Sequence, residues 1–181
     1  MANEEHFTHI NERGQAHMVD VSAKQNTNRV AIAYGEITMA ASVAQAIKNQ
    51  TIKKGEVLQV ARIAGIMAAK RTFELIPLCH VIALTKCAVD FNWVTETTLS
   101  AQCETKTIGA TGVEMEALMG VNTALLTVYD MCKALDRGMK ITNVHLLEKD
   151  GGKSGHYVAQ ANSRNCRKGA KLNEGFLWSD H

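Results

Sequence analysis

Asp130 and Lys133 stand three positions apart in YDMCKAL, between apolar Val128, Met131, Cys132 and Leu135. On a helix that spacing places both on one face. As a solvated surface pair they contribute only about a few tenths of a kcal/mol. Held among apolar neighbours, an acid and a lysine shift each other's pKa and become proton-transfer groups. Cys79 and His80, directly after IPL, are a second cluster, a weak signal that alone reads more readily as core residues. Glu114 and Glu116 bracket Met115. Acids in the first turn of a helix already stabilise it through the dipole, so chemistry and local stabilisation are both open there. The fourth group is the lysines: Lys53 and Lys54 before Gly55, Lys149, and Lys153 inside DGGKSG. Each reads singly as a solvated charge; together they supply positive charge for a polyphosphate.

The stretch Asp150 to Gly155, DGGKSG, has the glycines that let backbone amides approach phosphate oxygens. A nucleotide-binding P-loop needs a further glycine where this chain has Leu147, and it must open a helix. HYVAQA follows instead, alternating like a strand, so the stretch is expected to be a turn between two strands.

The elements that must position these groups are legible in outline. NRVAIAYGEITM (28 to 39) alternates like a strand and AASVAQAIKNQ follows with helix formers. Helical spacing runs from Val57 to Ile76 and is ended by Pro77, the only proline. HVIALTKCAVDF and TLSAQCETKT read as two strands, each with one wet face and one core face. Thr111 and Glu114 form a candidate capping box before a long helix that includes Val113, Val121, Val128 and Leu135, with Gly138 as its stop. KITNVHLLEK and HYVAQA are the last strands. The small residues Ala61, Ala64, Gly65, Ala68 and Ala69 allow close approach of another element, by core packing or by association. This order predicts an α+β, two-layer sandwich of ferredoxin-like type, an antiparallel sheet with helices packed on one face. Residues 1–161 are read as one domain. Residues 162–181 lose periodicity and are expected to form a peripheral tail, with Phe176, Leu177 and Trp178 available to dock.

Geometry constrains the site. Along a helix rising about 1.5 Å per residue, Glu116 and Asp130 lie roughly 21 Å apart. A substrate touching both needs an extended site or one assembled from two subunits.

With 181 residues and 46% hydrophobic content, the chain can bury a full core. Its 20 basic and 18 acidic residues give a net charge of +2, too balanced for a duplex-binding surface. Five cysteines without a C-x-x-C pair describe neither a disulfide framework nor a zinc ribbon, and are expected to be reduced, as in the cytoplasm. The polar start, MANEEHFTHINERG, and the absence of a long apolar window predict a protein that is neither exported nor membrane-spanning.

Several stretches occur in a familiar order: HMVDVSAK (17–24), KKGEV (53–57), ARIAGI, AAKRT and LIPLCH (within 61–80), TGVEMEAL (111–118), YDMCKA (129–134) and GGKSG (151–155). From about Thr8 to Ala161 the chain closely resembles the cyclic pyranopterin monophosphate synthase (MoaC) family of molybdenum cofactor biosynthesis. The resemblance implies a lyase that takes the cyclised dihydro-GTP made by an upstream radical GTP cyclase. It rebuilds that skeleton as a pyranopterin and forms a cyclic phosphate with loss of pyrophosphate. It implies a homohexamer, a trimer of dimers, with sites at subunit interfaces. No redox cofactor and no protein-bound metal are implied; magnesium carried with the triphosphate stays open. Position by position, Asp130 matches the family's catalytic aspartate and Lys133 its neighbouring lysine, with Lys54, His80 and Lys149 as further catalytic positions. Leu78, Cys79 and His80, with Met115 and Glu116, match substrate-binding segments, and Arg29, Glu114 and Lys153 fit the same pocket.

Two positions depart from the family pattern. Val81 stands where LCHP is usual, and Ala110 where a lysine is common. Two other readings remain: a nucleotide-binding regulatory module without turnover, and nucleic-acid binding through Arg164, Arg167, Lys168 and Lys171.

Overall fold

The computed structural model describes residues 9–160 apart from residue 12. Its centre is β1 (Thr27–Thr38), whose alternation decides the layering. Ala31, Ala33 and Ile37 are fully buried on one face. On that face Gly35 leaves room for Val121 and Leu125 of α4 (Glu114–Cys132) to sit directly against the strand. Strand β1 is flanked by β3 (Thr98–Gly109) and β4 (Lys140–Asp150), and β2 (Lys86–Trp93) pairs with β3. With the two-residue β5 (Tyr157–Val158) the sheet order is β2-β3-β1-β4-β5, every pair antiparallel. The first four strands with their helices make the ferredoxin-like α+β topology that the element order predicts.

Helices α1 (Ala41–Lys48), α2 (Val57–Lys70) and α3 (Thr72–Leu75) connect β1 to β2. Buried Ala61, Gly65 and Ala69 recur every four residues and face α4. A Cβ on Gly65 would stand 2.8 Å from the Gly120 carbonyl oxygen, and one on Gly120 would stand 2.5 Å from Cys103 Sγ. The small residues of α2 therefore serve core packing, since only glycine at the crossing lets the two helices and the sheet close together. The opposite face of the sheet is polar and paired. Glu104 there takes Lys86 at 2.6 Å and Lys106 at 2.9 Å, while buried Glu36 accepts from Tyr34 Oη at 2.6 Å and from Asn143 Nδ2 at 2.8 Å.

Five local expectations are corrected. The helix from Val57 breaks at Arg71, because buried Thr72 turns its hydroxyl back onto the carbonyls of Ala68 and Ala69 and competes with the helical bonds. Residues 80–85 are not strand: Ala83 gives its carbonyl to the Thr107 hydroxyl at 2.7 Å, and β2 starts only at Lys86. The capping box is not formed. Val113 is the N-cap of α4 without a side-chain bond, and the Glu114 carboxylate folds over Gly112 where any Cβ would stand. Further, α4 ends at Cys132 rather than near Gly138. Beyond it Asp136 accepts from Gly138 N at 2.7 Å and from Ala40 N at 2.9 Å, tying the exit of α4 to the start of α1. The expected strand HYVAQA is reduced to Tyr157–Val158, and the tail from residue 161 onward lies outside the described residues.

Candidate active site

The candidate residues gather at the two ends of α4. At the C-terminal end Lys133 Nζ meets Asp130 Oδ1 at 2.7 Å, and Lys54 Nζ lies 3.6 Å from Asp130 Oδ2. Lys54 Nζ also donates to the Asp130 carbonyl at 3.0 Å. That carbonyl belongs to the last turn, which has no partner within the helix, so Lys54 both satisfies it and complements the negative end of the dipole. Gly55, at φ +98°, makes the turn that brings Lys54 there before α2 starts. The Lys133 hydrogen bond and charge, reinforced by Lys54, hold the Asp130 carboxyl below its ordinary range, and Asp130 in turn raises Lys133. All three side chains are at least half exposed. The apolar setting expected for the acid–lysine pair is therefore absent from the single chain: Met131 and Cys132 turn inward while Asp130 and Lys133 turn out.

The N-terminal end is organised differently. Thr105 Oγ1 donates to the Val113 carbonyl at 3.0 Å and fixes the start of α4 on the sheet. Glu116 follows, 4% exposed. Burial, with Glu114 adding like charge, pushes its carboxyl up to about 7, so near neutrality it can hold or release a proton. Cys79 lies close enough to feel Glu116, and its thiol is raised by burial and then by that carboxylate. His80 Nε2 is 2.8 Å from the Val19 carbonyl. A carbonyl only accepts, so Nε2 carries the hydrogen and Nδ1 is the acceptor nitrogen of the neutral ring. Met115 is exposed, Leu78 half-buried.

Cations border this end. Arg29 shares the helix-side row of β1 with Ala31 and Ala33, and Lys149 pairs with Ala31 on β4. Arg29 Nε donates to the Gly109 carbonyl at 3.2 Å and Nη2 to the Ala110 carbonyl at 3.3 Å. Ala110 thus holds Arg29 through its main chain. Lys149 Nζ donates to Ser154 Oγ, closing the 150–155 turn, and Lys153 is exposed on it. DGGKSG is the expected turn, with Gly155 N donating to the Gly152 carbonyl at 3.1 Å.

Spacing alone gave no signal for several of these partners. Val19 as the partner of His80 lies in the HMVDVSAK stretch, but its carbonyl role depends on tertiary contact. The seat of Arg29 is built from residues 80 positions away, joined by strand register. Val81 is 77% exposed and makes a free surface of the loop after His80. A cavity of about 180 Å³ between the end of α1 and the start of α2, lined in part by Ile47, Ile52, Val57 and Arg62, contains none of the candidate residues. No group of three or more potential ligands able to hold a metal occurs among the described residues.

The ferredoxin-like domain thus carries an acid–lysine pair at one end of α4 and a buried acid at the other. Its relatives make the class specific. The description MoaC family matches residues 18–152, and the chain belongs to that family. It is 56% identical to a protein of Limosilactobacillus fermentum over 151 residues, 83% of this chain and 92% of the relative. It is 52% identical to one of Clostridium botulinum over 86% of this chain and 98% of the relative, and 50% identical to one of Desulfitobacterium hafniense over 85% and 94%. All three relatives carry the name cyclic pyranopterin monophosphate synthase.

Proposed function

We propose that this chain is a cyclic pyranopterin monophosphate synthase of molybdenum cofactor biosynthesis, a lyase that converts cyclised dihydro-GTP to the cyclic pyranopterin monophosphate and releases pyrophosphate. The observation that carries the reading is the 56% identity, over 83% of the chain, to a protein bearing that name. The geometry supports it. Forming a cyclic phosphate requires a hydroxyl of the substrate to attack the α-phosphorus as the bond to the leaving pyrophosphate breaks. Arg29, Lys149 and Lys153 offer the charge that the departing pyrophosphate needs. Opening and closing rings requires protons to be removed and returned, for which Asp130 with Lys133 and Lys54, His80 through Nδ1, and Glu116 near neutrality are suited. Leu78, Cys79, Met115 and Glu114 complete the surface that receives the nucleotide.

The two ends of α4 are too far apart to meet one small molecule within a chain. The site is accordingly read as shared, the Asp130 end of one copy facing the Glu116 end of another, in a homohexamer arranged as a trimer of dimers. The nucleotide is the substrate, magnesium accompanies it if needed, and the cytoplasm is the compartment. No described helix is long and apolar enough to cross a membrane, which agrees with a site reached from water.

The test follows pyrophosphate release and the oxidised fluorescent pterin from enzymatically prepared cyclised dihydro-GTP. Native protein is expected to turn over and Asp130→Asn to lose turnover while folded. Binding without turnover in native protein would instead support the regulatory module. Coexpressed Asp130→Asn and His80→Ala chains address sharing: random pairing into dimers leaves one intact site in each mixed dimer and returns about a quarter of native activity. No recovery would count against sharing and favour an extended site within one chain.

A further inference from the structure

Gly151 and Gly152 are adjacent and both left-handed, at φ +95° and +78°, yet they do different things. A Cβ on Gly151 would collide with the Asn28 carbonyl oxygen, a main-chain atom that cannot move aside. A Cβ on Gly152 would occupy the position of Arg29 Nη1, with Cζ and Nη2 also in contact range. The first glycine lets the chain pass over β1. The second leaves the space that the Arg29 guanidinium fills. On its other side the guanidinium is held by the Gly109 and Ala110 carbonyls, so it is clamped between the end of β3 and the turn after β4. Those two bonds use two of its five N–H groups. No carboxylate lies within ion-pair distance of it among the described residues. A half-buried, fixed guanidinium with spare donors and no counter-charge is arranged for an anion brought from outside.

We infer that Gly152 is a positioning residue: its missing side chain sets the Arg29 guanidinium in the orientation that receives the pyrophosphate part of the substrate. The inference rests on the proposed reading of this end of α4 as the triphosphate site. It also assigns separate roles to neighbouring glycines in one turn, backbone clearance to Gly151 and ligand geometry to Gly152.

Gly155 supplies the control, because it too is left-handed, at φ +64°, but a Cβ there meets nothing within 4 Å. Gly152→Ala and Gly155→Ala therefore impose comparable backbone strain, and only the first displaces Arg29. The readout is competitive inhibition of turnover by inorganic pyrophosphate, with KM and kcat measured separately, for both variants, Arg29→Ala, and the double variant Arg29→Ala/Gly152→Ala. Gly152→Ala is expected to weaken pyrophosphate about tenfold and raise KM more than it lowers kcat, with Gly155→Ala within about twofold of native. The double variant is expected to match Arg29→Ala alone, because a residue acting through Arg29 has nothing left to act on. Equal losses in Gly152→Ala and Gly155→Ala, or additive losses in the double variant, would overturn the inference while leaving the triphosphate reading intact. Native pyrophosphate affinity in Arg29→Ala would overturn both. If either alanine variant does not fold, asparagine, which tolerates left-handed backbone better, replaces alanine at both positions in the same comparison.

Discussion

At the C-terminal end of α4, Asp130 and Lys133 are 58% and 53% exposed and already paired with each other; at the N-terminal end, Glu116 is 4% exposed. Water screens the first pair, so in the isolated chain it is an ordinary surface contact with a lowered acid and a raised lysine. Burial has already shifted the second before any ligand arrives. One end is prepared by the fold; the other gains strength only when a substrate or a second copy excludes water from it.

The largest expected effect tests the exposed end. Asp130→Asn should lower kcat/KM for cyclised dihydro-GTP by about a thousandfold, within the range for removal of a general acid or base, with no change in thermal midpoint. A folded variant of undiminished activity would make that end a helix-terminal charge contact and nothing more. The buried end is tested next, by pH. Folded Glu116 keeps its proton up to about pH 7, whereas the unfolded chain releases it near the ordinary 4.5. Between those values the native state binds more protons at this group, so the contribution of Glu116 to stability is fully present below the lower one and falls by at most about 3 kcal/mol as pH rises to 7. Urea denaturation across this window should show the decline in native protein and a flatter curve in Glu116→Gln. A third change disturbs the span between the ends. Gly120→Ala places a methyl against Cys103 Sγ and should destabilise by about 2 kcal/mol in urea melts. The smallest effect returns to the exposed end: Lys54→Ala should change stability by no more than about 0.5 kcal/mol, less at high salt, while turnover falls by far more. A large stability loss would show that Lys54 serves chiefly as the C-terminal cap of α4.

What could be read in advance divides along the same line. The period-2 alternation of β1 and the helical period of α4 depend on neighbours in sequence, and so does the shared face of Asp130 and Lys133. Their burial does not: Val128, Met131 and Cys132 suggested an apolar setting, but a helix on a sheet has two faces, and the pair lies on the wet one. The strand expected at 80–85 failed because Thr107, a residue distant in sequence, takes the Ala83 carbonyl. The break at Arg71 was hidden in a helical pattern because one threonine hydroxyl decided it. Lys54 and His80 stood out as a lysine beside Gly55 and as half of a Cys-His pair, but their place in a site, like that of Arg29 as a whole, came from family resemblance. Their partners, the Asp130 carbonyl, the Val19 carbonyl and the Gly109–Ala110 main chain, exist only once strands and helices have docked.

Strand β4 carries one more consequence. Its register with β1 slips twice, between Ile32 and Ala33 and between Tyr34 and Glu36, and Asn143 at the second slip has φ +54°. Only Glu148 and Lys149 are paired with β5 on the outer side. An edge bent in this way offers neighbouring chains a broken row of donors and acceptors, which resists runaway strand addition and the fibrils that grow by it. Any association of copies along this edge would then depend on side chains rather than on a continued ladder of main-chain bonds.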